Sequence, residues 1–254
     1  MIRYKEGMNR KGFILGVIFG MLSLTGRAQI DSVAVRLERI KACSEDSVKV
    51  AYAEEIPAML EKTAFGSFRG ATPVKYLGYK CSADAGAELF SWAIPLTKGL
   101  AYYNWFRFKD GNRVYLLRTL PGEETEVPPY LFYDLLPFKS GGKEYFVLLG
   151  WAQTPNSNRK AVLIARFGTG GKVYFNSKLM RKGKSRSASL TFEYALDGSM
   201  MLKHDKKGKR IVFDHLVPFD KKYEGFFMFY GPDGTNDALL LKKGEWLYMD
   251  NVKR

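Results

Sequence analysis

From Phe65 to the C-terminus the sequence is a succession of short aromatic and β-branched runs, about ten residues apart, separated by turns that contain glycine. This pattern predicts antiparallel hairpins. The turns are Lys109-Asp110-Gly111-Asn112, Ser140-Gly141-Gly142-Lys143, Thr169-Gly170-Gly171-Lys172, Asp197-Gly198, Lys207-Gly208-Lys209, Pro232-Asp233-Gly234 and Lys243-Gly244. The runs best suited to strands are 102–108, 114–117, 145–151, 161–167, 173–175, 190–194, 200–203, 211–215, 226–230, 238–241 and 246–249. One flat sheet does not hold so many strands; it curls, splits or closes. The expected fold class is therefore mainly β, an antiparallel meander built as a sandwich, a barrel or a small propeller-like structure, with an N-terminal helical segment. No repeat of fixed period recurs, which counts against a regular propeller.

The helical segment is residues 29–64. Val33, Leu37 and Ile40 recur at a spacing of three to four with charged residues between them, which marks one buried face of a helix. Asp31 or Ser32 suits its start, Ser44-Glu45-Asp46-Ser47 interrupts it and Pro57 suits the start of another helical turn, so one broken helix or two short ones satisfy the pattern.

Ahead of it stand a basic stretch ending Asn9-Arg10-Lys11, an apolar run from Gly12 to Leu24, and the small residues Gly26 and Ala28 before Gln29. That is the order of a secretory signal peptide. The apolar run is about 13 residues, short of the roughly 20 that span a bilayer. Initiation at Met8 gives a more compact signal peptide than initiation at Met1. Cys43 lies too far beyond Ala28 to be a lipidation site. The expected organisation is a signal peptide at 1–28, a helical N-terminal segment at 29–64 and an antiparallel β domain at 65–254. The product is expected to be exported, periplasmic or extracellular, and not membrane-spanning after cleavage.

The formal charge is +14, and residues 1–28 hold five basic side chains against one acidic, so removing them leaves +10. Such an excess usually points to polyanions, but an exported protein does not meet nucleic acid, and none is expected as a partner. The only cysteines, Cys43 and Cys81, permit one disulfide in an oxidising compartment or serve as two small apolar side chains. No motif for a cofactor or metal is present, and none is expected.

The densest basic cluster, Arg181, Lys182, Lys184 and Arg186, is the candidate ligand-binding site, with a second stretch from Lys203 to Arg210. Solvated turns of the same composition simply keep a protein soluble. The Gly183-Lys184-Ser185 within the cluster lacks the earlier glycine of a phosphate loop. The two histidines, His204 and His215, fall toward opposite ends of one predicted hairpin and share no metal. A triad assembled from Asp214 and His215 fails because adjacent residues on a strand face opposite ways. The run Gly231 to Asp237 offers oxygen ligands without the spacing of a calcium loop and reads as a hairpin turn. Tyr102, Tyr103, Trp105, Phe106, Trp151, Tyr223, Phe226, Phe227, Phe229 and Tyr230 either stack on sugars or fill the core.

The stretch IVFDHLVPFDKKYEGFFMFYGPDGTNDALLLKKGEWLYMDNV (211–252), together with LLGW at 148–151, resembles an uncharacterised family of exported β-rich proteins of the Bacteroidota. The resemblance implies a location in the envelope or outside the cell and carries over no activity, cofactor or site residue. The expected function is that of an exported non-catalytic envelope protein with a binding or structural role toward polyanionic or carbohydrate ligands. The alternative is a carboxylate-dependent hydrolase acting on glycans through Glu193, Asp197 or Asp214.

Overall fold

A computed structural model of the chain describes residues 28–206 and 209–253. The segment read as a signal peptide lies outside them except for Ala28. The chain divides into two compact units, one ending at Lys75 and one beginning at Tyr76.

The first unit holds two helices, α1 at 28–42 and α2 at Asp46–Glu61. Val33, Leu37 and Ile40 of α1 are buried, as the spacing requires, and so are Ala53, Ile56 and Leu60 of α2. An ion pair of 2.6 Å from Arg36 to Glu55 links the helices, and the Arg36 guanidinium lies over Tyr52. Helix α1 is already under way before Asp31 and Ser32, so neither caps it; the Ser32 hydroxyl donates instead to the Gln29 carbonyl at 2.7 Å. Pro57 does not open a new turn. It sits inside α2, which forgoes one backbone hydrogen bond there.

The second unit is three sheets. The first is β1 (Gly78–Cys81), β2 (Ala87–Leu96), β3 (Gly99–Phe108) and β4 (Val114–Thr119), hydrogen-bonded in that order. The second contains β5 (Leu131–Ser140), β6 (Lys143–Gln153), β7 (Asn158–Phe167) and β11 (Ser189–Tyr194) in the order β11-β7-β6-β5, with β8 (Val173–Tyr174) attached to β7. The third takes β9 (Met180–Lys182), β10 (Ser185–Ser187), β12 (Leu202–Asp205), β13 (Arg210–Pro218), β14 (Tyr230–Lys242) and β15 (Glu245–Met249) in the order β10-β9-β15-β14-β13-β12. All pairs are antiparallel except β15 with β9.

Two separate hydrophobic clusters show how the sheets stack. Phe132, Leu135, Phe146, Leu148, Ala161 and Leu163 of the five-stranded sheet join Leu89, Phe106, Phe108 and Tyr115 of the first sheet. Their neighbours Leu136, Phe138, Val147, Leu149, Val162 and Ile164 join Met180, Ile211, Phe213, Leu239 and Trp246 of the third. Successive side chains on a strand point to opposite faces, so the five-stranded sheet is the middle layer and is buried on both sides. This explains why FVLLGWA (146–152) and AVLIA (161–165) are continuously apolar rather than alternating. The meander has split into a three-layered stack, with no closed barrel.

Five strands are absent from the sequence reading, β1, β2, β5, β9 and β10, and of these β2 and β5 each contain a proline. Pro137 is tolerated because β5 is the edge of the middle sheet, and Pro95 because β1 reaches only Glu88 to Ser91 of β2. Two other expectations are corrected. Residues 226–230 are not a strand: Phe227–Phe229 form a short 3-10 turn in the β13–β14 connection. Pro232-Asp233-Gly234 is not a hairpin turn but part of β14, where Asp214 opposes Asn236 and Leu216 opposes Pro232, leaving His215 across from 233–235 as an irregularity in the ladder.

Gly150, in the LLGW run, is required by packing. A Cβ there would lie 2.7 Å from Tyr130 Cβ and 3.1 Å from the Phe132 ring. Gly150→Ala is therefore expected to destabilise the domain by about 1–3 kcal/mol through overpacking, read as a lowered denaturation midpoint with an unchanged slope.

Candidate functional site

The basic cluster is brought together on one hairpin, with Arg181 and Lys182 in β9, Gly183-Lys184 at the turn and Arg186 in β10. Its charge is answered by β15 and the residue after it. Arg186 pairs with Glu245 at 2.8 Å, Arg181 with the same carboxylate at 3.9 Å, and Lys182 with Asp250 at 3.2 Å while lying 3.8 Å over the Tyr248 ring. These acids are far along the chain from the cluster, so the local run overstated the field available to a polyanion.

The three carboxylates considered for hydrolysis are placed separately. Glu193, on β11, accepts from the Ser157 hydroxyl at 2.6 Å and pairs with Arg159 at 2.9 Å. Asp214, on β13 of a different sheet, accepts from the Met201 amide at 2.7 Å. Asp197 is exposed in the connection after β11. The partner of His215 is not Asp214 but Asp237 on the neighbouring strand, at 2.8 Å from Nδ1. Asp237 also accepts from the Tyr248 hydroxyl at 2.5 Å and the Asn251 amide at 2.9 Å. Within the 231–237 run, Asp233 is turned on the chain itself, accepting from the Thr235 amide and hydroxyl. Cys43 and Cys81 are not joined in a disulfide; the Cys43 thiol donates to the Glu45 carbonyl at 3.6 Å and the Cys81 thiol to the Ser82 carbonyl at 3.5 Å. Tyr102, Tyr103, Trp105 and Phe106 are core residues.

Trp151 is only partly buried. The β6–β7 register sets it directly opposite Lys160, and its ring packs on the cluster shared with the first sheet, edge-on to Tyr102 with ring centres 6.5 Å apart. At this end of the middle sheet Tyr133, Trp151, Asn158, Lys160 and Tyr194, with the 198–200 connection, line a recess of about 410 Å³. Its polar framework is well fixed. The Tyr133 hydroxyl donates to the Leu202 carbonyl at 3.0 Å, and the Asn158 amide donates to the carbonyls of Ala195 and Leu196 at 3.1 and 2.9 Å. The Lys160 ammonium donates to the Met200 carbonyl and lies 5.9 Å from the centre of the Tyr133 ring. Burial lowers its pKa, opposed by the nearby Asp214 charge, and burial raises that of Tyr133. A cation kept where desolvation disfavours it, with aromatic faces beside it, makes this recess the candidate site.

A larger cleft of about 690 Å³ lies at the same end of the middle sheet, and includes Tyr102, Tyr130, Ala152, Gln153 and Arg159. Its rings are only 4% and 8% exposed, leaving little aromatic face to a ligand, and its charges, Lys98, Glu123 and Arg159, are mixed in sign. The smaller recess is chemically the more selective of the two.

Sequence reasoning passed over Lys160 and Tyr133. A lysine three residues into a strand that turns wholly apolar was the available signal, but its alignment with Trp151 required the register of the hairpin. No family model, curated protein or solved structure matches this chain.

Proposed function

We propose that the protein is an exported, non-catalytic binding protein of the cell envelope, and that its ligand is an acidic carbohydrate held in the Lys160 recess. The observation that carries the reading is the position of Lys160, a partly buried cation in a recess lined by the half-buried rings of Tyr133 and Trp151. Aromatic faces receive the apolar face of a pyranose ring, and the ammonium receives a carboxylate. The signal-peptide pattern and the resemblance to exported proteins of the Bacteroidota support the location. None of Glu193, Asp197 and Asp214 lines the recess, which favours binding over the glycan hydrolase, whose two carboxylates would have to converge on one bond.

The test is calorimetric titration with uronic acids and with the matching neutral sugars, with product analysis on the same samples. Acidic sugars are expected to bind, and Lys160→Met to weaken them at least tenfold. Equal affinity for neutral sugars would refute the role of Lys160, and released product would refute the non-catalytic reading. Lys160→Met is at the same time expected to leave stability within about 1 kcal/mol of wild type, because the lost hydrogen bond to Met200 is offset by no longer burying a charge. The sign follows from the pKa: a lysine lowered by folding costs stability at neutral pH, and that cost fades as pH rises through its folded-state pKa.

A further inference from the structure

Between Pro218 and Tyr230 the chain leaves the third sheet for residues 219–229 and exposes a cluster of phenyl rings. Phe219 is 62% exposed, Phe226 61%, Phe227 53% and Phe229 37%. The loop is built, not frayed. Phe219 N–H donates to the Phe229 carbonyl at 3.0 Å, and the Asp220 carboxylate caps the turn at Lys221–Tyr223 by accepting from the Lys222 amide. Tyr223 stacks on Phe229 with ring centres 4.4 Å apart, and the Gly225 amide donates to the Tyr230 hydroxyl at 3.1 Å. The Phe219 ring lies so close over Gly231 that a Cβ there would come within 2.4 Å of it. These contacts hold phenyl rings in water when the core elsewhere is well filled, and such patches mark a surface that meets an apolar phase or a partner.

We propose that residues 219–229 insert into the interface of an anionic phospholipid bilayer and dock the protein on it peripherally. Two features favour lipid over a protein partner. Lys221 and Lys222 flank the rings and are balanced by Asp220 and Glu224, with Lys222 paired to Asp220 at 3.5 Å, so the tip brings phenyl rings to the headgroup level without a net charge to desolvate. The unit that carries the tip is meanwhile strongly basic. Residues 76–254 hold 28 Lys and Arg against 18 Asp and Glu, an excess that draws the domain toward a negative surface within about a Debye length. The inference is independent of the Lys160 recess and stands or falls apart from it.

Co-sedimentation of the purified protein with vesicles of phosphatidylglycerol and phosphatidylethanolamine, and with vesicles of phosphatidylcholine alone, tests it. The wild type is expected to partition to the anionic vesicles, and Phe226→Ser combined with Phe227→Ser to reduce partitioning at least tenfold. Both proteins carry the same N-terminus, so the difference reads the loop alone. Both replaced rings are exposed, so folding is expected to be retained, and circular dichroism checks it. In a second measurement, Phe226→Trp is expected to show a blue shift of tryptophan emission on adding anionic vesicles. No vesicle binding, equal binding by wild type and double variant, or no emission shift would overturn the proposal. Self-association of the wild type that the double variant abolishes would also overturn it and assign the loop to a second copy of the chain.

Discussion

Arg107→Met is expected to cost about 3–5 kcal/mol of stability in a urea melt, the largest loss from any single polar residue in the β unit, because it strands a buried carboxylate. Glu88 on β2 is 0% exposed and Arg107 on β3 is 7% exposed, and the two stand directly opposite each other in the ladder. Arg107 Nε donates to Glu88 Oε2 at 2.7 Å, while the Tyr79 hydroxyl donates to Oε1. The guanidinium also lies 5.3 Å from the Phe90 ring centre and 5.6 Å from that of Trp105, so the substitution removes cation–π contact as well as charge. If the cost belongs to the stranded carboxylate, replacing both residues by Met recovers most of it, and the two single changes are strongly non-additive in a double-mutant cycle. A single Arg107→Met that cost under about 1 kcal/mol, or a double variant no better than the single, would contradict this account.

Asp237→Ala is expected to cost about 2–4 kcal/mol at neutral pH and less as pH falls through the folded-state pKa of Asp237, since hydrogen bonds to a charged group contribute about 1.5–3 kcal/mol each and share this loss. Asp237 is 2% exposed on β14 and accepts from His215, Tyr248 and the Asn251 amide. Burial by itself raises its pKa, but the hydrogen bonds from these three groups and the positive charge available to His215 outweigh burial, and the net shift is downward. A carboxyl whose folded-state pKa lies below its unfolded value near 4 stabilises the protein above that value, and the contribution disappears as pH falls through the folded-state pKa. The gap between wild type and Asp237→Ala in thermal melts should therefore narrow as pH is lowered from 7 toward the folded-state pKa of Asp237. A difference that does not depend on pH would mean that Asp237 acts by shape and packing and not by its charge. The irregularity at His215 makes this position sensitive: the strand bends where residues 233–235 oppose a single histidine, and the Asp237 contacts join β13, β14 and β15 across that bend.

How much of this was legible in the sequence depends on the range of the interaction. The mainly β character, the hairpin turns at 109–112, 140–143 and 243–244, and the buried stripe Val33, Leu37, Ile40 are local properties, set by glycine conformations and by residue periodicity, and they are readable one segment at a time. The run FFMFY was misread as a strand for a local reason too, because aromatic composition records β propensity but not whether a sheet is there to receive it. Prolines hid β2 and β5 because whether a missing N–H matters depends on which strand lies alongside.

The pairings across the chain were decided only by tertiary structure. Glu245 and Asp250 neutralise much of the Arg181 to Arg186 hairpin, Asp237 takes the role that adjacency had offered to Asp214, and Trp151 meets Lys160 through the β6–β7 register. A register shift of one residue would turn Lys160 to the other face of the middle sheet, away from Tyr133 and Trp151, with no change in composition or hydropathy. The sequence by itself determined that this chain makes strands, where most of them turn, and that it carries excess positive charge. Which faces are buried, which charges are cancelled and which side chains share a recess followed from the stacking of three sheets, because those depend on distances between residues that the order of the chain does not bring together.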